Sequence, residues 1–120
     1  MYHRRRAIRL GDQILREMSL LLVHKVRDPR VRGVTLTGIS LSSDLRKAKV
    51  YYSLIGDEKA IKRAQEGLDR AKGFIKREVA LRVSLKYMPD IIFRYDPSLA
   101  MGDKIDRVFR EIKKGEKSDI

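Results

Sequence analysis

Apolar positions recur at helical spacing along the first part of the chain. At about 100° per residue, Leu10, Ile14, Met18, Leu21 and Leu22 share one face and Arg5, Arg9 and Arg16 lie opposite, predicting a helix over residues 4–26. Asp28-Pro29 ends it, because proline lacks the amide donor and biases its predecessor away from helix. Val34 to Ser42 reads as a strand. Its alternation slips at Gly38, with Val34 and Leu36 on one parity and Ile39 and Leu41 on the other, which is the pattern of a β-bulge. After a turn at Ser43-Asp44, Lys47 to Ile55 alternates cleanly. Ala48, Val50, Tyr52 and Leu54 face one way, and Lys47, Lys49, Tyr51 and Ser53 the other. These two strands should form a hairpin.

A further helix begins at Gly56-Asp57, with Asp57 as N-cap and Ile61, Ala64, Leu68 and Ala71 as its buried stripe. A glycine inside a helix costs about 1 kcal/mol relative to alanine. Ala71-Lys72-Gly73 is therefore expected to form an elbow, where Ala71 and Gly73 kink the chain and a third helix starts, running to about Lys86. Pro89 separates that helix from a strand over Ile91 to Asp96. Asp96-Pro97 then has the N-cap plus N1-proline pattern, followed by an amphipathic helix with Ile105, Val108, Phe109 and Ile112 as its stripe and a polar end at residues 113–120. The order is α-β-β-α-α-β plus a C-terminal helix. A three-stranded sheet with helices packed on one face is the simplest way to bury these stripes, giving an α+β fold.

Composition narrows the partners. With 120 residues and 42% hydrophobic content, one packed domain is expected. Lys and Arg outnumber Asp and Glu by 28 to 16, for a formal charge of +12 and a pI near 10.2. That balance speaks for a polyanionic partner and says little about fold. No apolar run is long enough to span a membrane, and Asp12 and Glu17 interrupt the N-terminal pattern too early for a signal peptide. A cytoplasmic, monomeric protein with no membrane contact is the expectation. There is no cysteine, hence no disulfide and no thiolate metal site. The absence of asparagine, with only two glutamines and 37% charged residues, points to a thermophilic source.

Catalytic signals are lacking. No phosphate-binding loop, nucleophile elbow or pair of carboxylates with a base stands out, and His3 and His24 have no partner at ligand spacing. No catalytic residue, cofactor or metal is expected; the chain reads as a binder. Arg4, Arg5, Arg6 and Arg9 precede the first acidic residue, Asp12, which suits a phosphate-binding face, with a solvated helix face as the alternative. Lys47, Lys49 and Tyr51 project from one strand face, where an aromatic beside cations can meet RNA sugar or base; a plain solvent face explains them equally well. Lys72 at the elbow is read both as part of a packing kink and, with amides at the start of the third helix, as a contact to an RNA phosphate. Lys76, Arg77, Arg82 and Lys86 extend the basic character of that helix, with Arg82 able to pair with Glu78.

Four segments, in order, resemble the ribosome-binding factor A family, whose fold is a type II KH-like domain. They are Asp28-Pro29-Arg30; Asp44-Leu45-Arg46-Lys47-Ala48-Lys49-Val50-Tyr51; Ala71-Lys72-Gly73 in place of the usual KH Gly-x-x-Gly loop; and Phe74-Ile75-Lys76-Arg77-Glu78 continuing through Leu85-Lys86-Tyr87-Met88-Pro89-Asp90 to Phe93, Tyr95, Asp96 and Ser98. The resemblance covers roughly residues 6–98. It implies a KH-like RNA- and ribosome-binding unit over residues 1–97, with residues 98–120 as a C-terminal helix and short tail. It also implies a non-catalytic factor acting late in maturation of the small (30S) ribosomal subunit, bound to 16S rRNA near its 5′ end and supporting growth in the cold. Assembly GTPases are further partners of such a factor. On this resemblance Arg30 joins Arg4, Arg5, Arg9, Lys47, Lys49, Lys72, Lys76, Arg77 and Lys86 as candidate RNA contacts.

Overall fold

The protein is described by a computed structural model over residues 2–97, with side chains described from Arg5 onward. In chain order these residues form α1 (Tyr2–His24), a 3-10 turn (Pro29–Val31), β1 (Thr35–Leu41), β2 (Lys47–Ser53), α2 (Glu58–Val83) and β3 (Asp90–Tyr95). The expected C-terminal helix, with Ile105, Val108, Phe109 and Ile112, lies outside the described residues.

The three strands make one sheet in the order β1-β2-β3. β1 and β2 pair antiparallel as the expected hairpin, and β3 adds parallel to β2 after the α2 crossover. The parity slip in β1 is a bulge: Leu36 pairs with Tyr52 and Gly38 with Tyr51, leaving Thr37 between them without a partner in the ladder. Its consequence is that Val34, Leu36, Ile39 and Leu41 all pack against the core despite their mixed parity.

Both helices lie on one face of the sheet. Ile14, Met18 and Leu21 of α1 and Ala64, Leu68, Ile75 and Val79 of α2 are fully buried against Ala48, Val50 and Tyr52 of β2, with Ile91 and Phe93 of β3 nearly so. Tyr52 brings a polar atom into this core. Its hydroxyl donates to Gln65 Oε1 at 2.6 Å, and Gln65 Nε2 donates to the Phe93 carbonyl at 3.0 Å, so one α2 side chain ties β2 to β3. Burial is the main reason the Tyr52 phenol is pushed above its ordinary pKa.

The ends of α2 follow from the sequence. Asp57 accepts from the Ala60 amide at 2.8 Å as the expected N-cap. At the other end Ser84 adopts a left-handed conformation (φ 56°, ψ 45°), and the Leu85 amide reaches back to the Ala80 carbonyl at 2.9 Å.

The expected elbow is the main correction. α2 runs unbroken from Glu58 to Val83 through Ala71-Lys72-Gly73, so two expected helices are one and the order is α-β-β-α-β over the described residues. The reason is register. Leu68 and Ile75 are one heptad apart and both fully buried, so the apolar stripe stays in phase across Gly73. Continuous burial of that stripe outweighs the ~1 kcal/mol that one glycine costs. Gly73 is also exposed: a Cβ there would meet only Arg77 Nη1, at 3.7 Å. Ala71 and Gly73 thus do not mark a close helix–helix approach.

Candidate nucleic-acid interface

The turn between β1 and β2 positions the first basic residues. Ser42 Oγ accepts from the amides of Arg46 and Lys47 at 3.2 and 3.0 Å and donates to Asp44 Oδ1 at 2.7 Å. Asp44 also accepts from the Arg46 amide at 3.1 Å. These bonds lower the Asp44 pKa, the Ser42 hydroxyl contributing most. They hold Leu45 in the left-handed region (φ 63°), a conformation a branched side chain rarely adopts. The strained turn delivers Arg46 and Lys47, both exposed, to the end of the sheet.

Several elements meet at that end. Lys47 is the register partner of Asp90, whose amide donates to the Arg46 carbonyl at 2.9 Å. Lys76 of α2 reaches Asp90 Oδ1 at 3.1 Å. Lys86, just before β3, is exposed and lies 5.7 Å from the ring centroid of Tyr87. The N-terminal half of α1 borders the same region, because Ala7, Ile8, Gly11 and Asp12 share a shallow cavity of about 390 Å³ with Ile39, Ser40, Leu41 and Ser43. Arg5 and Arg9 project from that half of α1 and are exposed. Arg4 belongs to the first turn of α1, ahead of the described side chains.

The ten candidates therefore separate by what they touch. Arg5, Arg9, Lys47, Lys49, Arg77 and Lys86 are exposed and form no ion pair among the described residues. Lys72 lies 3.7 Å from Asp69 and Lys76 pairs with Asp90, surface contacts that cost an incoming phosphate little to displace. Because α2 is continuous, the amides around Lys72 and Gly73 are spent inside the helix. A phosphate can meet the Lys72 side chain there but not a helix N-terminus.

Arg30 is engaged elsewhere. Its Nε donates to both oxygens of Asp28, at 3.0 and 3.1 Å, and its Nη2 donates to Oδ2 at 2.6 Å. Asp28 also caps the 3-10 turn by accepting the Arg30 amide at 2.9 Å. The Arg30 side-chain and backbone hydrogen bonds, in that order, hold the Asp28 carboxyl down at about 2. The pair packs on α2 at Gly67, and Arg30 Nη1 lies 3.8 Å from Glu66. Asp28-Pro29-Arg30 fastens the loop after α1 to α2, so Arg30 serves the fold.

Arg94 and Ile92 were not singled out from the sequence. They alternate with the buried Ile91 and Phe93, so the period-two pattern of β3 alone could have placed them on the outer face. Arg94 is the register partner of Tyr51, and Ile92 of Lys49. Among the described residues no group of His, Asp and Glu could hold a metal ion, and no helix is long and apolar enough to cross a membrane.

Comparison with known proteins agrees with this architecture. Residues 6–109 match the model of the family "Ribosome-binding factor A". The ribosome-binding factor A of Halothermothrix orenii is 42% identical over 116 residues, covering 97% of this chain and 95% of the relative. The crystal structure of ribosome-binding factor A from Thermus thermophilus superposes with a TM-score of 0.66 at 25% identity, covering 74% of this chain and 93% of that one. The coordinates of the Thermus thermophilus factor as fitted into the cryo-EM map of a 30S complex share the fold, with a TM-score of 0.64 at 24% identity and coverage of 76% and 96%. This chain belongs to the ribosome-binding factor A family.

Proposed function

We propose that this chain binds the small ribosomal subunit through its 16S rRNA and acts without catalysis, as a maturation factor that holds an rRNA conformation until late processing near the 5′ end is complete. The observation that carries the reading is the charge arrangement. Within a widely basic surface, exposed cations free of ion pairs on α1, the β1–β2 turn and the segment before β3 lie towards the same end of the sheet. Such an arrangement suits phosphates, which supply affinity and orientation more than sequence choice. Family membership supports the same partner, since the Thermus thermophilus relative was fitted into a 30S complex. The contacts are assigned to Arg5, Arg9, Lys47, Lys49, Lys72, Lys76, Arg77 and Lys86, with Arg4 alongside them in sequence.

Sedimentation of cell extract, with detection of this protein across the gradient, tests the reading. It should travel with immature small subunits and leave them as salt rises. Stoichiometric presence on mature subunits and polysomes would instead make it a constitutive ribosomal protein. Incubation of purified protein with precursor rRNA, with and without magnesium, should leave the RNA intact; cleavage abolished by a point substitution in this chain would overturn the non-catalytic assignment.

A further inference from the structure

Among the described residues nothing covers the face of the sheet turned away from the helices, and its central rows are basic and aromatic. Across its centre run two rows in register: Ser40, Lys49 and Ile92, and Gly38, Tyr51 and Arg94. Ser40, Lys49, Ile92 and Arg94 are exposed and Tyr51 is half-buried. Neither row carries an acidic residue. Two carboxylates flank the rows: Asp90 is held by Lys76, and Asp96, two residues beyond Arg94, accepts from Thr37 Oγ1 at 3.2 Å.

Tyr51 has a cation on two sides. Lys49 is two residues back on the same strand and same face, about 6.6 Å away along the backbone, and Arg94 is on the adjacent strand, about 4.8 Å across. On its other side stands Gly38, where an added Cβ would meet nothing within 4 Å. The ring is thus bordered by open space and by positive charge. Exposed Ile92, 37% accessible, adds apolar surface beside Lys49.

We propose that this outer sheet face is a docking surface for single-stranded RNA, with an unpaired base stacking on Tyr51 and the flanking phosphates meeting Lys49 and Arg94. The inference deepens the proposed function and rests on it: it names the form of rRNA this face takes. A base in a duplex has both faces covered by its neighbours, so an aromatic ring on an open sheet gains a stacking partner only from an unpaired strand. Charge favours the polyanion, because the face offers two cations near the ring that form no ion pair among the described residues, while the flanking carboxylates Asp90 and Asp96 are each engaged by a donor.

The test uses the full chain and two probes, fluorescein-labelled oligouridine and an RNA duplex, with binding followed by anisotropy, and co-sedimentation with small subunits run alongside. The parent should bind the single strand more tightly than the duplex. Tyr51→Leu should weaken oligouridine binding about fivefold or more while Tyr51→Phe, which keeps the ring, binds like the parent. Replacing Lys49 and Arg94 together by alanine should flatten the slope of log K against log salt by about 1.4, two phosphate contacts on a single strand. Both positions are exposed, so this pair carries the test even if Tyr51→Leu proves unstable by circular dichroism. Equal binding of both probes, or an unchanged slope in the double variant, overturns the inference while leaving subunit binding intact. Loss of co-sedimentation by Tyr51→Leu with undiminished oligouridine binding overturns it too, and would assign the face to a protein partner. Failure of the parent itself to co-sediment would instead strike the proposed function.

Discussion

Adding one methyl group to α2 should raise or lower stability depending on which of two glycines receives it. Gly67 and Gly73 lie six residues apart in the same helix, and Gly→Ala in a helix interior favours the folded state by about 1 kcal/mol at either place. At Gly73 nothing opposes this, because the nearest heavy atom to the new Cβ is Arg77 Nη1 at 3.7 Å, an ordinary contact with a movable group. Gly73→Ala should therefore gain most of that ~1 kcal/mol, or roughly 4 °C in melting temperature for a chain of this size. At Gly67 the same methyl would stand 2.8 Å from Val31 Cγ1, 3.1 Å from Arg30 Cβ and 3.5 Å from Asp28 Oδ2. Carbon atoms rest at roughly 3.5–4.0 Å. Val31 is 5% exposed and Arg30 Cβ crowds the same methyl, so either the Val31 side chain or the 3-10 turn that carries it must shift away from α2. Overpacking of this kind typically costs about 1–3 kcal/mol, enough to cancel or exceed the helical gain. Gly67→Ala should melt below the parent by a few degrees. Thermal unfolding followed by far-ultraviolet circular dichroism reads both variants, and the double variant should be close to additive because the sites are about 9 Å apart along the axis. A stabilised Gly67→Ala would show that the turn is not clamped to α2; a destabilised Gly73→Ala would restore the elbow that the continuous helix excludes.

Three further substitutions probe the rest of the frame. Gln65→Leu strands the buried Tyr52 hydroxyl without its acceptor and should cost about 1–3 kcal/mol in chemical denaturation, with part recovered when Tyr52→Phe is added; no recovery would mean the Gln65 loss lies in packing alone. Ser84→Gly relieves the left-handed cap of α2 and should stabilise by roughly 0.5–1 kcal/mol, an outcome a melt at equal or lower temperature would contradict. Asp28 titrates at about 2 in the folded protein, below its unfolded value near 4, so its contribution is present above pH ~4 and fades as pH falls through about 2. The gap in melting temperature between the parent and Asp28→Asn should accordingly narrow from pH 7 towards pH 2, and a gap of constant width would remove the carboxylate's charge from the account.

What the sequence made legible was whatever repeats with a period. The alternation of β2, the bulge at Gly38 and the stripe of α1 all appear where the pattern placed them, since burial on one face leaves a periodic record. Gly73 misled because propensity is a local quantity. The cost of one glycine is readable from the chain, whereas the compensating alignment of Leu68 with Ile75 against the sheet is a tertiary fact. Arg30 shows a related effect: its charge is visible in sequence, but its engagement by Asp28 depends on the shape of the turn. Arg94 was hidden by the opposite effect. Standing alone between apolar neighbours, it belongs to no basic run, and only the parallel pairing of β3 with β2 sets it beside Tyr51.

The same contrast separates two uses of positive charge in this chain. Arg30 is held by Asp28 and lies near Glu66, and Arg82 lies within 4 Å of both Glu17 and Glu78, so each is drawn into contacts between elements or along α2. Lys47, Lys49 and Arg94 stand on the outer sheet face and form no ion pair among the described residues. Exposed ion pairs add little stability, so a fold has small reason to supply partners for such cations. Leaving them unpaired keeps their field directed outward, where a phosphate backbone can use it. The positive charge of this face is thus left able to act on a ligand, whereas Arg30 and Arg82 are largely neutralised by the carboxylates of the architecture they serve.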